Sequence, residues 1–277
     1  MRGTAEPQRS GALSRQEPDI RVVEHGAIRI LQIGRMQQSS MYLDAPFETD
    51  FDYPGYLHLT IAVKPDAARV CMIGLGGGTI AKRMWRDCPW VQIDAVEIDP
   101  RVAELARTSF ALPRDARLLV HIAEGRAFLE RSRDTYDIVI VDAFDDDAVP
   151  APLATEEFHR VVLGRLAENG VLAYNMHGSV TGDHSRPFRR LYRTLRGSFA
   201  NVWPFVVGFS RGGGPASHSE IIILATNASL TADELRSRIA SRVDGRVSVA
   251  EFHEFGRDLY QGPIRSGDVA PYCDDGS

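Results

Sequence analysis

A doubly wound α/β fold with a mostly parallel sheet is predicted by three features of this 277-residue sequence. Short runs rich in Val, Ile and Leu alternate with stretches of helical length in a repeated strand-then-helix order. The runs lack the in-out alternation of a half-exposed strand, so both faces of the sheet have to be covered. The first run leads straight into a glycine-rich turn, Gly74-Leu75-Gly76-Gly77-Gly78, that opens a helix.

Taken in order, residues 1–19 carry almost nothing to bury and are expected to be a disordered tail, because apolar burial cannot offset the entropy of ordering them. Residues 20–65 read as a small β-meander, with β-like runs at 21–23, 28–33 and 40–43 broken by Gly26, Gly34, Pro46, Pro54 and Gly55. Residues 66–228 form the α/β core. Its strands are expected at 70–73, 91–96, 118–122, 136–141 and 171–174, and its helices at 80–85, 100–108, 125–130 and 155–166. A helix at 187–198 and strands at 202–207 and 220–226 follow, the strands joined through the flexible Gly212-Gly213-Gly214 run. This last pair resembles the antiparallel hairpin that closes the class I SAM-methyltransferase fold, a Rossmann-like seven-stranded sheet that binds S-adenosylmethionine (SAM). Residues 229–277 supply a helical extension at 232–240 and a tail expected to be loose beyond Tyr260.

Composition removes several classes of function. A formal net charge of -5 offers no general attraction to nucleic acid or to an anionic membrane, so a small-molecule acceptor is the expected partner. Cys71, Cys88 and Cys273 lack metal-ligand spacing and read as reduced thiols. No apolar stretch approaches the ~20 residues that span a bilayer, and residues 1–17 lack the apolar segment of a signal peptide. A cytoplasmic protein, forming a homodimer or higher homo-oligomer, is expected. The Asp145-Asp146-Asp147 run reads as a solvated turn, and no metal is expected. No Walker loop is present.

The candidate cofactor site lies along the carboxyl ends of the strands, where open α/β sheets bind ligands. Gly74, Gly76, Gly77 and Gly78 allow close approach of backbone at a helix N-terminus. Glu97, in Val96-Glu97-Ile98-Asp99, stands about 20 residues further on, where a carboxylate can accept both ribose hydroxyls. A nicotinamide dinucleotide fingerprint would place a third glycine at Thr79, which disfavours a dehydrogenase. SAM-type sites add an acid after the third strand, and Glu124 followed by Gly125 stands there; Asp142 ends the fourth strand.

On these motifs, with Tyr136 to Asp142, Glu156-Glu157-Phe158 and residues 166–172, the chain resembles the spermidine synthase family over residues 28–226. The resemblance implies that Glu97, with Ile98 beside it, binds the adenosyl ribose, and that Glu124 and Gly125 hold adenine. Asp142 would handle the attacking amine, and Asp145 is a second acid near it. It also places Gln38 (or Gln37), Tyr56 and His58 in the substrate pocket, Tyr56 as a catalytic residue too, while His177 beyond the fifth strand is a further pocket candidate. Three departures stand out. Gly77 replaces an aspartate that contacts the aminopropyl chain, leaving room for the carboxylate of intact SAM. Arg211 lies in place of an aromatic substrate wall and suits a dicationic amine poorly. Ala143 and Phe144 replace two small hydroxyl residues. The expected activity is therefore alkylation of a small-molecule acceptor with SAM or decarboxylated SAM, with methyl transfer placed ahead of aminopropyl transfer, the spermidine synthase reaction. A catalytically silent nucleoside-binding module is the rival.

Overall fold

The computed structural model describes residues 19–145 and 148–275. The expected disordered tail at 1–19 falls almost wholly outside these residues, as do Asp146 and Asp147 of the aspartate run.

The N-terminal segment begins as an antiparallel meander of β1 (Ile20–His25), β2 (Ile28–Ile33) and β3 (Met36–Tyr42). It does not stay β to residue 65. Two short helices follow, α1 (Tyr53–Tyr56) and α2 (Leu59–Val63). Pro54 lies in the first turn of α1, where a missing N–H costs no hydrogen bond and the fixed φ suits a helix. A proline read as a strand breaker thus starts a helix.

The core runs β4 (Arg69–Ile73), α3 (Thr79–Asp87), β5 (Gln92–Glu97), α4 (Pro100–Thr108), β6 (Leu118–Ile122), α5 (Gly125–Arg131), β7 (Tyr136–Val141), α6 (Glu156–Leu163), β8 (Leu166–Gly178), α7 (Arg186–Ser198), β9 (Asn201–Val206) and β10 (Ser219–Thr226), with α8 (Ala232–Ala240) after it. The seven strands order as β6-β5-β4-β7-β8-β10-β9, and only β10 runs against its neighbours. Side chains that alternate along β8 feed two apolar layers: Val171 and Ala173 pack with α2, α3 and α8, while Leu172, Tyr174 and Met176 pack with α5, α6 and α7. Burial on both faces explains the unbroken apolar runs. Among the described residues no helix is long and apolar enough to cross a membrane.

The segment beyond Tyr260, expected to be loose, is tied down. Arg193 donates to the carbonyls of Ser266, Gly267 and Val269, at 3.1, 2.9 and 2.6 Å. Arg190 reaches the carbonyls of Ala270 and Pro271 and lies 4.0 Å from the Tyr272 ring centre. Asp274 accepts two 2.7 Å bonds from Arg126 at the start of α5. Guanidinium donors on α7 hold this strand of chain by its backbone, a form of anchoring that leaves no hydrophobic pattern.

Candidate active site

Three strand ends meet at the glycine turn. The Gly74 N–H donates to the Val96 carbonyl at 2.8 Å, and the Asp142 N–H to the Ile73 carbonyl at 2.9 Å. Gly74 has φ +94°, and a Cβ there would lie 2.0 Å from the Asp142 carbonyl oxygen, so only glycine lets β4 turn this tightly against β7. From the other side, β3 clamps the turn: the Gly77 N–H donates to Ser39 Oγ at 2.8 Å, and Thr79 Oγ1 to the Ser40 carbonyl at 3.2 Å.

Glu97 ends β5 and is 8% exposed. One carboxylate oxygen accepts the Leu75 N–H at 3.1 Å and the other the Asp99 N–H at 3.0 Å. The group is fixed in place, and each oxygen keeps a lone pair for a hydroxyl donor. Ile98 beside it is 69% exposed, an apolar surface at the same edge. Glu124 caps α5, its two oxygens accepting the N–H groups of Arg126 at 3.0 Å and Ala127 at 2.7 Å. Gly125 is buried against Ile73.

Asp142 follows β7. Asn175 Nδ2 donates to its Oδ1 at 2.9 Å, and the Tyr53 phenol lies beside it. Burial pushes the carboxyl up to about 6, opposed by the Asn175 bond, the nearby His177 and the Tyr53 phenol, and assisted by the charge of Glu220. The same surroundings raise the Tyr53 phenol well above its ordinary range. In front of this group lies a small cavity of about 70 Å³, lined among others by Gln38, Tyr53, Phe144, Asn175, His177 and Glu220. Neither Lys nor Arg borders it among the described residues. No group of three His, Cys, Asp or Glu side chains that could hold a metal ion occurs among them either.

Residues 56–208 match the family model of the spermine/spermidine synthase domain, more than half of the chain. The protein belongs to the spermine/spermidine synthase family. Among curated relatives, the polyamine aminopropyltransferase of Vibrio vulnificus is 31% identical over 194 residues, covering 66% of this chain and 63% of that protein. That alignment spans just under two thirds of the relative. The Chromobacterium violaceum polyamine aminopropyltransferase is 28% identical over 250 residues, covering 88% and 90%. Among solved structures, a probable spermidine synthase from Corynebacterium glutamicum superposes with a TM-score of 0.71 at 18% identity, covering 100% of this chain and 98% of that one. Human methyltransferase-like protein 13 in complex with SAH gives 0.58 at 20% identity, covering 79% and 98%. At these identities the structural likeness establishes the fold, that of the class I SAM-methyltransferases.

Within this family frame, several sequence-assigned positions fall elsewhere. The Tyr56 hydroxyl donates to buried Asp258, and its ring stacks on Phe255 with centres 3.9 Å apart. The phenol beside Asp142 is that of Tyr53, one helical turn earlier. His58 is fully buried, its Nε2 3.6 Å from Asp87 on α3, and burial with the Arg83 charge lowers it to about 4. It packs behind α1 as a neutral core group. Asp145 is exposed, and its backbone pairs both ways with Ala148, at 2.9 and 3.2 Å, shaping the loop after β7. Arg211 bonds Asp52 at 2.6 Å with both side chains more than half exposed, so it faces solvent. A Cβ on Gly77 would meet the Phe110 ring and Ser39 at 2.9 Å, so the side-chain direction of this glycine is filled by the fold. Gln38 and His177 do reach the cavity. Tyr53, Asn175 and Glu220 were missed. Asn175 carried a signal, a lone amide closing an apolar strand, as did Glu220 at the head of the Ile221-Ile222-Ile223 run.

Proposed function

We propose that this protein transfers the aminopropyl group of decarboxylated SAM to an amine. The observation that carries the reading is the small cavity bordered by Glu220 and backed by Asp142, with neither Lys nor Arg on its wall among the described residues: a space with one carboxylate on its wall and another behind it suits a cationic amine. The names of the curated relatives support the same reaction. The preference for methyl transfer rested on Gly77 and Arg211, and both features lie outside the acceptor cavity.

The donor supplies an electrophilic carbon next to a sulfonium. As the amine nitrogen bonds to that carbon, the C–S bond breaks, its electron pair stays on sulfur, and a neutral thioether leaves. What the protein contributes is position and proton management. Glu97, fixed by the Leu75 and Asp99 N–H groups, would take the ribose hydroxyls of the donor. Glu220 and Asp142 draw the ammonium form of the acceptor into the cavity. Attack needs a free lone pair on nitrogen, so one proton has to leave. Asp142, raised to about 6 by burial, is mostly ionised at neutral pH yet basic enough to accept it. Asn175 orients its carboxylate through Oδ1.

The test is to incubate the purified protein with decarboxylated SAM and 1,4-diaminobutane and to measure 5′-methylthioadenosine together with the aminopropylated amine. Stoichiometric formation of both is expected. Methylation of an acceptor from intact SAM, with no aminopropyl transfer, would overturn the reading.

A further inference from the structure

His177 borders more than the small cavity in front of Asp142. The same imidazole borders a second, larger chamber of about 310 Å³ between the loop after β7 and α7. A row of rings links the two: Phe144 to His177 with centres 5.0 Å apart, and His177 to His218 with centres 6.3 Å apart. Phe144 and Glu220 border only the small cavity, whereas Met176 and His218 border only the large one. Tyr272, carried in by the arginine-anchored C-terminal segment, completes the far wall.

The two spaces differ in charge. Beside the small cavity stand Asp142 and Glu220. The large chamber has apolar walls from Val149, Met176 and Leu191. Among the described residues its only carboxylate is Asp183, exposed on the turn before α7, and neither Lys nor Arg borders it. A second ammonium there would give up water for carbon and imidazole walls, with a single solvated carboxylate as compensation. An uncharged tail loses nothing of that kind and gains apolar contact. Room is ample, since a dry cavity of about 150 Å³ holds a benzene ring.

We propose that this chamber is the subsite for the far end of the acceptor, and that the enzyme favours amines whose tail is apolar or aromatic over amines that end in a second ammonium. The identity of the reacting end rests on the aminopropyl-transfer reading; the tail subsite rests on the chamber alone.

The experiment compares 4-phenylbutylamine with 1,4-diaminobutane as acceptors, by kcat/KM, in the parent and two variants. Val149→Trp fills the chamber from a half-buried loop position, and His184→Glu adds an anion on an exposed turn. The parent is expected to favour the phenyl amine. Val149→Trp should lower kcat/KM for the phenyl amine by about tenfold or more and for the diamine by less than about twofold. His184→Glu should shift the preference toward the diamine. A parent that favours the diamine, with Val149→Trp slowing both amines equally or neither, overturns the tail subsite while leaving aminopropyl transfer standing. If neither amine is alkylated, the transfer reading falls, and equilibrium binding of 4-phenylbutylamine decides the subsite. Weaker binding to Val149→Trp supports it, and equal binding to both proteins overturns it.

Discussion

The proposed donor side and the proposed acceptor side of this site are built differently. On the donor side, β4, the glycine turn, α3 and the end of β5 are consecutive, and Glu97 is locked by N–H groups from its own neighbourhood. On the acceptor side, Tyr53, Asp142, Asn175 and Glu220 come from four distant segments, and each depends on packing to arrive. The donor side is a local motif that any chain with this strand-turn-helix order can carry. The proposed acceptor side exists only once the chain has packed.

The sharpest way to separate the two sides is to change one carboxylate on each. Asp142→Asn should lower transfer by about 10²–10⁴-fold, the usual worth of a positioned base, while donor affinity stays within experimental error. Loss of donor binding in this variant would mean that the two sides are not separable. The same substitution should stabilise the fold at pH 8. Burial raises the Asp142 carboxyl from 3.8 to about 6, so the native state favours the protonated form and is penalised as pH rises through that window. The gain for Asn should be about 1–2 kcal/mol above pH 6 after allowance for partial solvent access, and should vanish near pH 4. Thermal denaturation across pH checks it, and a uniform gain at every pH would show that the charge is not its source.

Glu97→Ala should act on the other side. Loss of a charged acceptor should weaken donor binding by about 10–100-fold, with little change in acceptor KM at saturating donor. Calorimetry with decarboxylated SAM would place the ribose elsewhere if affinity were unchanged.

Smaller effects test the frame around the acceptor cavity. Asp258 accepts from the Tyr56 hydroxyl and from the Ser210 N–H. Asp258→Ala leaves both donors unpaired and should cost about 1–3 kcal/mol in a denaturation curve. Arg211→Ala should change almost nothing: an exposed pair with Asp52 is worth about 0–1 kcal/mol. A large gain in acceptor affinity on removing Arg211 would restore it to the pocket and contradict its outward position.

The same contrast explains what could be read from the sequence. The succession of strands and helices in the core, the glycine turn and the place of Glu97 at the end of β5 were legible because each depends on residues close in the chain and on a single periodicity. The tyrosine of the site was misassigned because Tyr53 and Tyr56 stand three apart, and the choice between them is made by Asp258, 202 positions away from Tyr56. His58 was placed in the pocket by the family resemblance, which carries no sign of its burial here. Gly77 looked like a vacancy until Phe110, from the loop after α4, was seen to fill the space. The C-terminal segment was read as loose since arginine donors bonding to carbonyls leave no apolar pattern.

The central claim, that the site selects an aminopropyl donor, is tested most directly by giving the protein equal concentrations of SAM and decarboxylated SAM with an excess of acceptor amine, and identifying the nucleoside product. Release of 5′-methylthioadenosine with an aminopropylated amine, and no S-adenosylhomocysteine, is the predicted result. Release of S-adenosylhomocysteine with a methylated amine as the main product would contradict the account.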